Sequence, residues 1–125
     1  NAPLIVFDDA GLEEAVEGAI ASKYRNAGQT CVCANRIFVQ AGIYDDFAAA
    51  LSQKVAAMKV GDGFEEGVSQ GPIIDQQGFD KIERHVADAL AKGASVSVGG
   101  APHEKGGTFY QPTVLTGANR DMQIF

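Results

Sequence analysis

The spacing of hydrophobic positions changes several times along the chain, and each spacing predicts a different element. Leu4, Ile5, Val6 and Phe7 form an unbroken apolar run without helical spacing, which predicts a buried strand. Asp8 and Asp9 follow, and either is a candidate helix N-cap. Leu12, Val16, Ile20 and Tyr24 then recur at every fourth position, on one face of a helix. Glu13, Glu14 and Glu17 near its start and Lys23 and Arg25 at its end complement the helix dipole, and Gly28 marks the exit. Residues 36–40 read as a second strand. A second helix is predicted over 43–59, with Phe47, Leu51, Val55 and Met58 on one face. Gly61, Gly63, Gly67, Gly71 and Pro72 punctuate the long loop that follows, whose Asp62, Glu65 and Glu66 read as solvated. A third helix is predicted over 75–93, with the stripe Phe79, Ile82, Val86 and Leu90 and a Lys92-Gly93 stop. A strand over 95–98 and an extended stretch over 109–116, broken by Pro112, complete the chain.

Strands alternating with helices predict an α/β fold, a mostly parallel sheet with flanking helices. The 125 residues suit a single domain, and 46% apolar against 21% charged residues is a folded composition. The net charge of −6 argues against a nucleic-acid partner. No apolar run approaches the ~20 residues that cross a bilayer, so no membrane partner is expected. Two cysteines, Cys31 and Cys33, are too few for a disulfide scaffold and point to a reducing, cytoplasmic location. An apolar run right behind Asn1 and an apolar end at Phe125 suggest a piece of a longer protein.

The glycines form neither a dinucleotide fingerprint nor a phosphate loop, so no cofactor-binding residue is expected within the chain. No metal site is expected either: Cys-x-Cys is tighter than zinc-ligand spacing, His85 has no partner one turn on, and His103 sits in a polar loop. The informative stretch is Asn26-Ala27-Gly28-Gln29-Thr30-Cys31-Val32-Cys33-Ala34-Asn35-Arg36, between a helix end and a strand. Gly28 lets the backbone approach a neighbour closely. Flanking amides, Arg25 and Arg36 favour a thiolate at Cys31. Residue chemistry leaves two readings of that thiol, a nucleophile or a small buried hydrophobe.

Several motifs carry a resemblance. Asn26-Ala27-Gly28-Gln29-Thr30-Cys31 resembles the cysteine signature of the aldehyde dehydrogenases. Asn1-Ala2-Pro3 resembles the end of their Glu-Leu-Gly-Gly-Asn-x-Pro motif, and Gln70-Gly71-Pro72 ahead of a helix also fits. Gly107-Thr108-Phe109-Tyr110-Gln111-Pro112-Thr113-Val114-Leu115 resembles a later strand of the family, so the resemblance runs the whole chain. It implies that residues 1–125 are part of the catalytic domain, with the cofactor-binding domain elsewhere. It makes Cys31 the nucleophile, passing through a thiohemiacetal and a thioester with hydride transfer to NAD or NADP. The Cys31 amide is expected to help hold the oxyanion, and the general base lies upstream of this chain. A homodimeric or homotetrameric parent is implied as well.

Arg25 departs from the aromatic or apolar residue of many members. Residues 22–36 resemble the succinate-semialdehyde dehydrogenases of the family, which implies that Arg25 binds a substrate carboxylate. A cation at the helix C-terminus is the competing reading. Succinate semialdehyde is the expected small-molecule substrate, with glutarate semialdehyde as the alternative. Arg36 is expected to form a structural ion pair. Cys33 is the candidate redox partner of Cys31, because residues two apart in an extended loop place their Cα atoms roughly 6–7 Å apart. A Cys-x-Cys redox module and an interaction domain without chemistry remain the readings from other classes.

Overall fold

The computed structural model describes residues 2–125, so Asn1 of the Asn1-Ala2-Pro3 match lies outside the described residues. The elements are β1 (Pro3–Val6), α1 (Leu12–Lys23), β2 (Arg36–Val39), α2 (Tyr44–Ala56), α3 (Gln76–Ala91), β3 (Ser95–Val98) and β4 (Val114–Thr116). β1 and β2 pair in parallel, with Leu4 opposite Ile37 and Val6 opposite Val39. Helix α1 is the crossover that a parallel pair requires. β3 and β4 pair antiparallel, with a register shift between Val96 and Val98. The fold is α/β as expected, but among the described residues the strands form two separate pairs and only the first is parallel. The physical reason lies in the connection: 99–113 contains no helix to carry the chain back over a sheet, so β4 returns beside β3 in the opposite direction.

The main core joins Val6, Val16, Ala19, Phe47, Leu51, Val55 and Val114, from β1, α1, α2 and β4. The every-fourth spacing of α1 and α2 is what brings these side chains to one side. A second core holds Ile73, Phe79, Val86 and Tyr110, with Phe79 and Tyr110 edge to face at 5.5 Å, and Ala27 packs against it. A third gathers Ala89, Ala94 and Met122.

Local details differ from the sequence expectation. Gly11, not Asp8 or Asp9, occupies the N-cap of α1, and no side chain caps that helix. Asp75 does cap α3, its carboxylate accepting from the Gly78 amide at 2.7 Å. The buried stripe of α3 ends on Ala89, whereas Leu90 is 45% exposed. The apolar run at 4–7 is covered on one face only. Ile5 and Phe7 point away from the core and are exposed, as is Phe38 opposite Ile5.

Candidate active site

Helix α1 ends at Lys23, and Tyr24 caps it with its amide donating to Ile20 O. The phenol of Tyr24 donates to Thr113 O at 2.8 Å, and burial pushes its pKa far above the usual tyrosine value. The chain then makes a tight turn over Arg25–Gly28 whose last three residues are left-handed: φ is 52° at Asn26, 55° at Ala27 and 75° at Gly28. Glycine enters this region freely and asparagine tolerates it, so it is Ala27 that holds a strained conformation its surroundings must impose. At Gly28 a Cβ would also meet Lys23 O at 3.2 Å, which adds a close approach to the need for positive φ.

Gln29 secures the turn. Its side-chain Nε2 donates to Asn26 O at 3.3 Å, while the Gln29 backbone amide donates to the same oxygen at 3.1 Å. Nε2 also donates to Pro72 O at 3.1 Å, and Oε1 accepts from the Ile74 amide at 2.9 Å. A buried side chain, Gln70, reaches the other end of the turn and donates to Tyr24 O at 2.9 Å. Past the turn, the Cys33 amide donates to Thr30 O at 3.2 Å and the Ala34 amide to Ser22 Oγ at 3.1 Å. The loop is thereby fastened at its start, middle and exit.

The two thiols face opposite environments. Cys31 is exposed and Cys33 is buried, and both are free. Cys33 Sγ lies 2.6 Å from Thr30 Oγ1, and it points to the carbonyls of Lys23 at 3.8 Å and Arg25 at 4.0 Å, beside the end of α1. Arg25 is exposed at the start of the turn and Cys31 just past its end. The structure thus brings Arg25, Cys31 and Cys33 onto one fastened loop, with a solvent-facing sulfur and an inward one.

The family profile described as the aldehyde dehydrogenase family matches residues 1–125. The chain belongs to that family. A succinate-semialdehyde dehydrogenase (NADP(+)) of Escherichia coli is 62% identical over 115 residues, which are 92% of this chain and 24% of that protein. A glutarate-semialdehyde dehydrogenase of Pseudomonas aeruginosa is 59% identical over 115 residues, again 92% of this chain and 24% of the relative. The crystal structure of a succinate-semialdehyde dehydrogenase from Burkholderia pseudomallei superposes with a TM-score of 0.97 at 58% identity, covering 99% of this chain and 26% of that one. The chain spans about a quarter of the length of the relatives it matches.

Other expected residues settle differently. Arg36 does not form the expected ion pair. Its guanidinium donates to Phe125 O at 3.4 Å and lies 5.6 Å from the centre of the Phe125 ring, because an aromatic face and a carbonyl are what the C-terminal turn presents to it. Glu65 is exposed, as expected of that loop, and is also paired at the surface. Lys105 at 3.0 Å holds its carboxyl below the usual range, with Lys59 at 3.8 Å adding to the effect. His85 is held below its usual pKa by burial and by Lys81 and Arg84, and His103 Nδ1 accepts from the Lys105 amide at 3.2 Å. Among the described residues no group of three or more His, Cys, Asp or Glu is placed to hold a metal ion. None of their helices is long and apolar enough to cross a membrane. Sequence reasoning assigned no role to Gln29 or Gln70. Their only signal is position, Gln29 inside the cysteine signature and Gln70 as a polar residue ahead of Gly71-Pro72.

The strand–turn–helix unit from β1 to α1 has the order of a dinucleotide cradle but not its chemistry. Asp8 and Asp9 lie in the turn and Glu13 and Glu14 in the first helical turn, so the segment that would meet a pyrophosphate carries four acidic residues, and the Asp8 amide is already taken by Gln40 Oε1 at 3.0 Å. These residues do not fit a dinucleotide.

Proposed function

We propose that this chain is the nucleophile-bearing quarter of an NAD(P)-dependent aldehyde dehydrogenase that oxidises succinate semialdehyde to succinate. Cys31 is the nucleophile and Arg25 holds the substrate carboxylate. The observation that carries the reading is the exposed sulfur of Cys31 on a loop fastened by Gln29 and Gln70, with exposed Arg25 at the loop's start. The Cys31 thiolate adds to the aldehyde carbon, forming a C–S bond as the carbonyl π electrons move to oxygen. The Cys31 backbone amide is available as a donor to that oxyanion. Loss of the aldehyde hydrogen as hydride leaves a thioester on Cys31, and water then releases the carboxylate and regenerates the thiol. NAD or NADP supplies the hydride acceptor, and the residues that hold it lie in the rest of the parent, as does the base for the hydrolytic water.

Two similar relatives, named for succinate and glutarate semialdehydes, support a substrate with a carboxylate at its far end. Glutarate semialdehyde is the competing substrate, since one methylene discriminates by only ~1–3 kcal/mol. Family resemblance supports a homodimeric or homotetrameric parent, and the low cysteine count supports a reducing, cytoplasmic location. The reading is tested by measuring NAD(P)H production from succinate semialdehyde by the purified chain and by the full-length parent. The parent turns over and the chain does not, because the chain lacks a hydride acceptor site and a base. Turnover by the chain, free of parent, overturns the assignment of what the chain carries.

A regulatory reading is favoured by the second thiol two residues on. A peroxide converts the Cys31 thiolate to a sulfenic acid, and attack by the Cys33 thiol expels water and leaves a disulfide. Closure requires Cys33 Sγ to leave Thr30 Oγ1 and the interior, so the bridge is expected to be strained and easily reduced. Mass spectrometry of the peroxide-treated parent checks this. The expected result is a loss of two hydrogens in the peptide holding both cysteines, reversed together with activity by dithiothreitol. Sulfenic or sulfinic acid on Cys31 with Cys33 untouched rejects it.

A further inference from the structure

Residues 70–74 run beside the left-handed turn, and the two edges of this segment have separate partners. On one edge, the Ile73 amide donates to Thr108 O at 2.9 Å and Thr108 Oγ1 donates to Ile73 O at 2.7 Å. The opposite edge presents Pro72 O and the Ile74 amide, and the Gln29 side chain satisfies both. A primary amide in that slot replaces the peptide group of a neighbouring strand. The upstream end of the segment is also anchored, with the Gly61 amide donating to Gln70 O at 3.0 Å and the Gln70 amide to Lys59 O at 3.2 Å. From there the buried Gln70 side chain holds Tyr24 O. Ala27, at the centre of the turn, packs on the core that contains Ile73. One segment therefore grips both ends of a turn whose non-glycine residues would otherwise relax out of positive φ.

We propose that residues 70–74 are a splint for the nucleophile loop, and that Gln29 and Gln70 are positioning residues acting through it. Gln70 fixes the carbonyl just ahead of Arg25, and Gln29 fixes the chain two residues ahead of Cys31. The functional part of this inference rests on the reading of Cys31 as the nucleophile. Neither glutamine touches the reacting atoms. Their effect is to hold the thiol in an attack geometry, and small displacements of a reacting group are costly.

The experiment uses the full-length parent with Gln29→Met, Gln70→Met and the double substitution. Methionine keeps most of the glutamine volume and removes the amide. Gln29→Met is expected to lower kcat for succinate semialdehyde by about 100-fold while KM stays within about threefold, because alignment and not binding is lost. The double variant is expected to lose much less than the product of the single losses, since freeing one end of a splint already frees the loop. Hydrogen exchange at the amides of 26–31 should quicken by about tenfold or more in Gln29→Met, with α1 and α3 unchanged. If Gln70→Met does not fold, Gln29→Met carries the test alone, its side chain being only half-buried. Unchanged exchange at 26–31 overturns the splint, and kcat within threefold of the parent overturns the positioning role. Cys31→Ala is run beside these variants. If it retains turnover, the catalytic reading and the positioning role with it are overturned, while exchange still decides the splint.

Discussion

Cys31→Ala in the full-length parent abolishes aldehyde oxidation, by on the order of 10⁴-fold or more, while nicotinamide cofactor still binds. Alanine cannot form the thiohemiacetal, and no second route to a thioester exists once the attacking sulfur is gone. Cys33→Ala in the same assay retains substantial activity. Its sulfur is buried against Thr30 Oγ1 and two backbone carbonyls, so its removal deletes weak hydrogen bonds and a small volume, and leaves the exposed sulfur in place. Steady-state NAD(P)H production and a fluorescence titration of cofactor binding check the pair. A lethal Cys33→Ala together with an active Cys31→Ala reverses the assignment of the two thiols.

Arg25→Leu raises KM for succinate semialdehyde far more than KM for an uncharged aldehyde of similar length. Loss of a charged hydrogen bond is worth ~1.5–3 kcal/mol, or roughly 10- to 150-fold. The contrast between substrates is the decisive quantity, because Arg25 also follows Tyr24, the C-cap of α1, where a cation interacts favourably with the helix dipole. A purely local helix role disturbs the loop for every substrate alike, so an equal loss on both aldehydes reduces Arg25 to a structural residue. Arg25→Lys separates the two roles further. It keeps the charge at the helix end but loses the planar fork that matches a carboxylate, so it should resemble Leu in substrate contrast and the parent in stability.

The helices were legible because their cause is local. Val16, Phe47, Leu51, Val55, Phe79 and Val86 are buried where the every-fourth spacing predicts, and Asp75 caps α3 through a bond only three residues long. The same periodicity misplaced the end of the α3 stripe, since Ala89 and Leu90 are adjacent and only the packing partner selects between them. The unbroken apolar run at 4–7 carried no signal of which face would be covered. Register with β2 decided that, placing Val6 in the core and Ile5 outside.

By itself the sequence determined the α/β class, the three helices, the family and the loop that carries the thiols. Each of these is written in spacing or in a contiguous motif. Tertiary structure decided the rest of the site. The cysteine motif singles out Cys31 over Cys33, but it does not say which thiol faces solvent; the end of α1 beneath the loop takes Cys33 inward and leaves Cys31 exposed. No local rule places Asn26 and Ala27 at positive φ in succession, because the intrinsic preference of alanine is the reverse and asparagine only tolerates that region. That backbone is imposed by hydrogen bonds between Gln29 and the Pro72 carbonyl and Ile74 amide, 43 and 45 residues away, and from Gln70 to Tyr24, 46 residues away. Bonds across such separations form only after the chain has folded, between a side-chain amide and backbone groups that any residue could present, so they leave no pattern in the residues between.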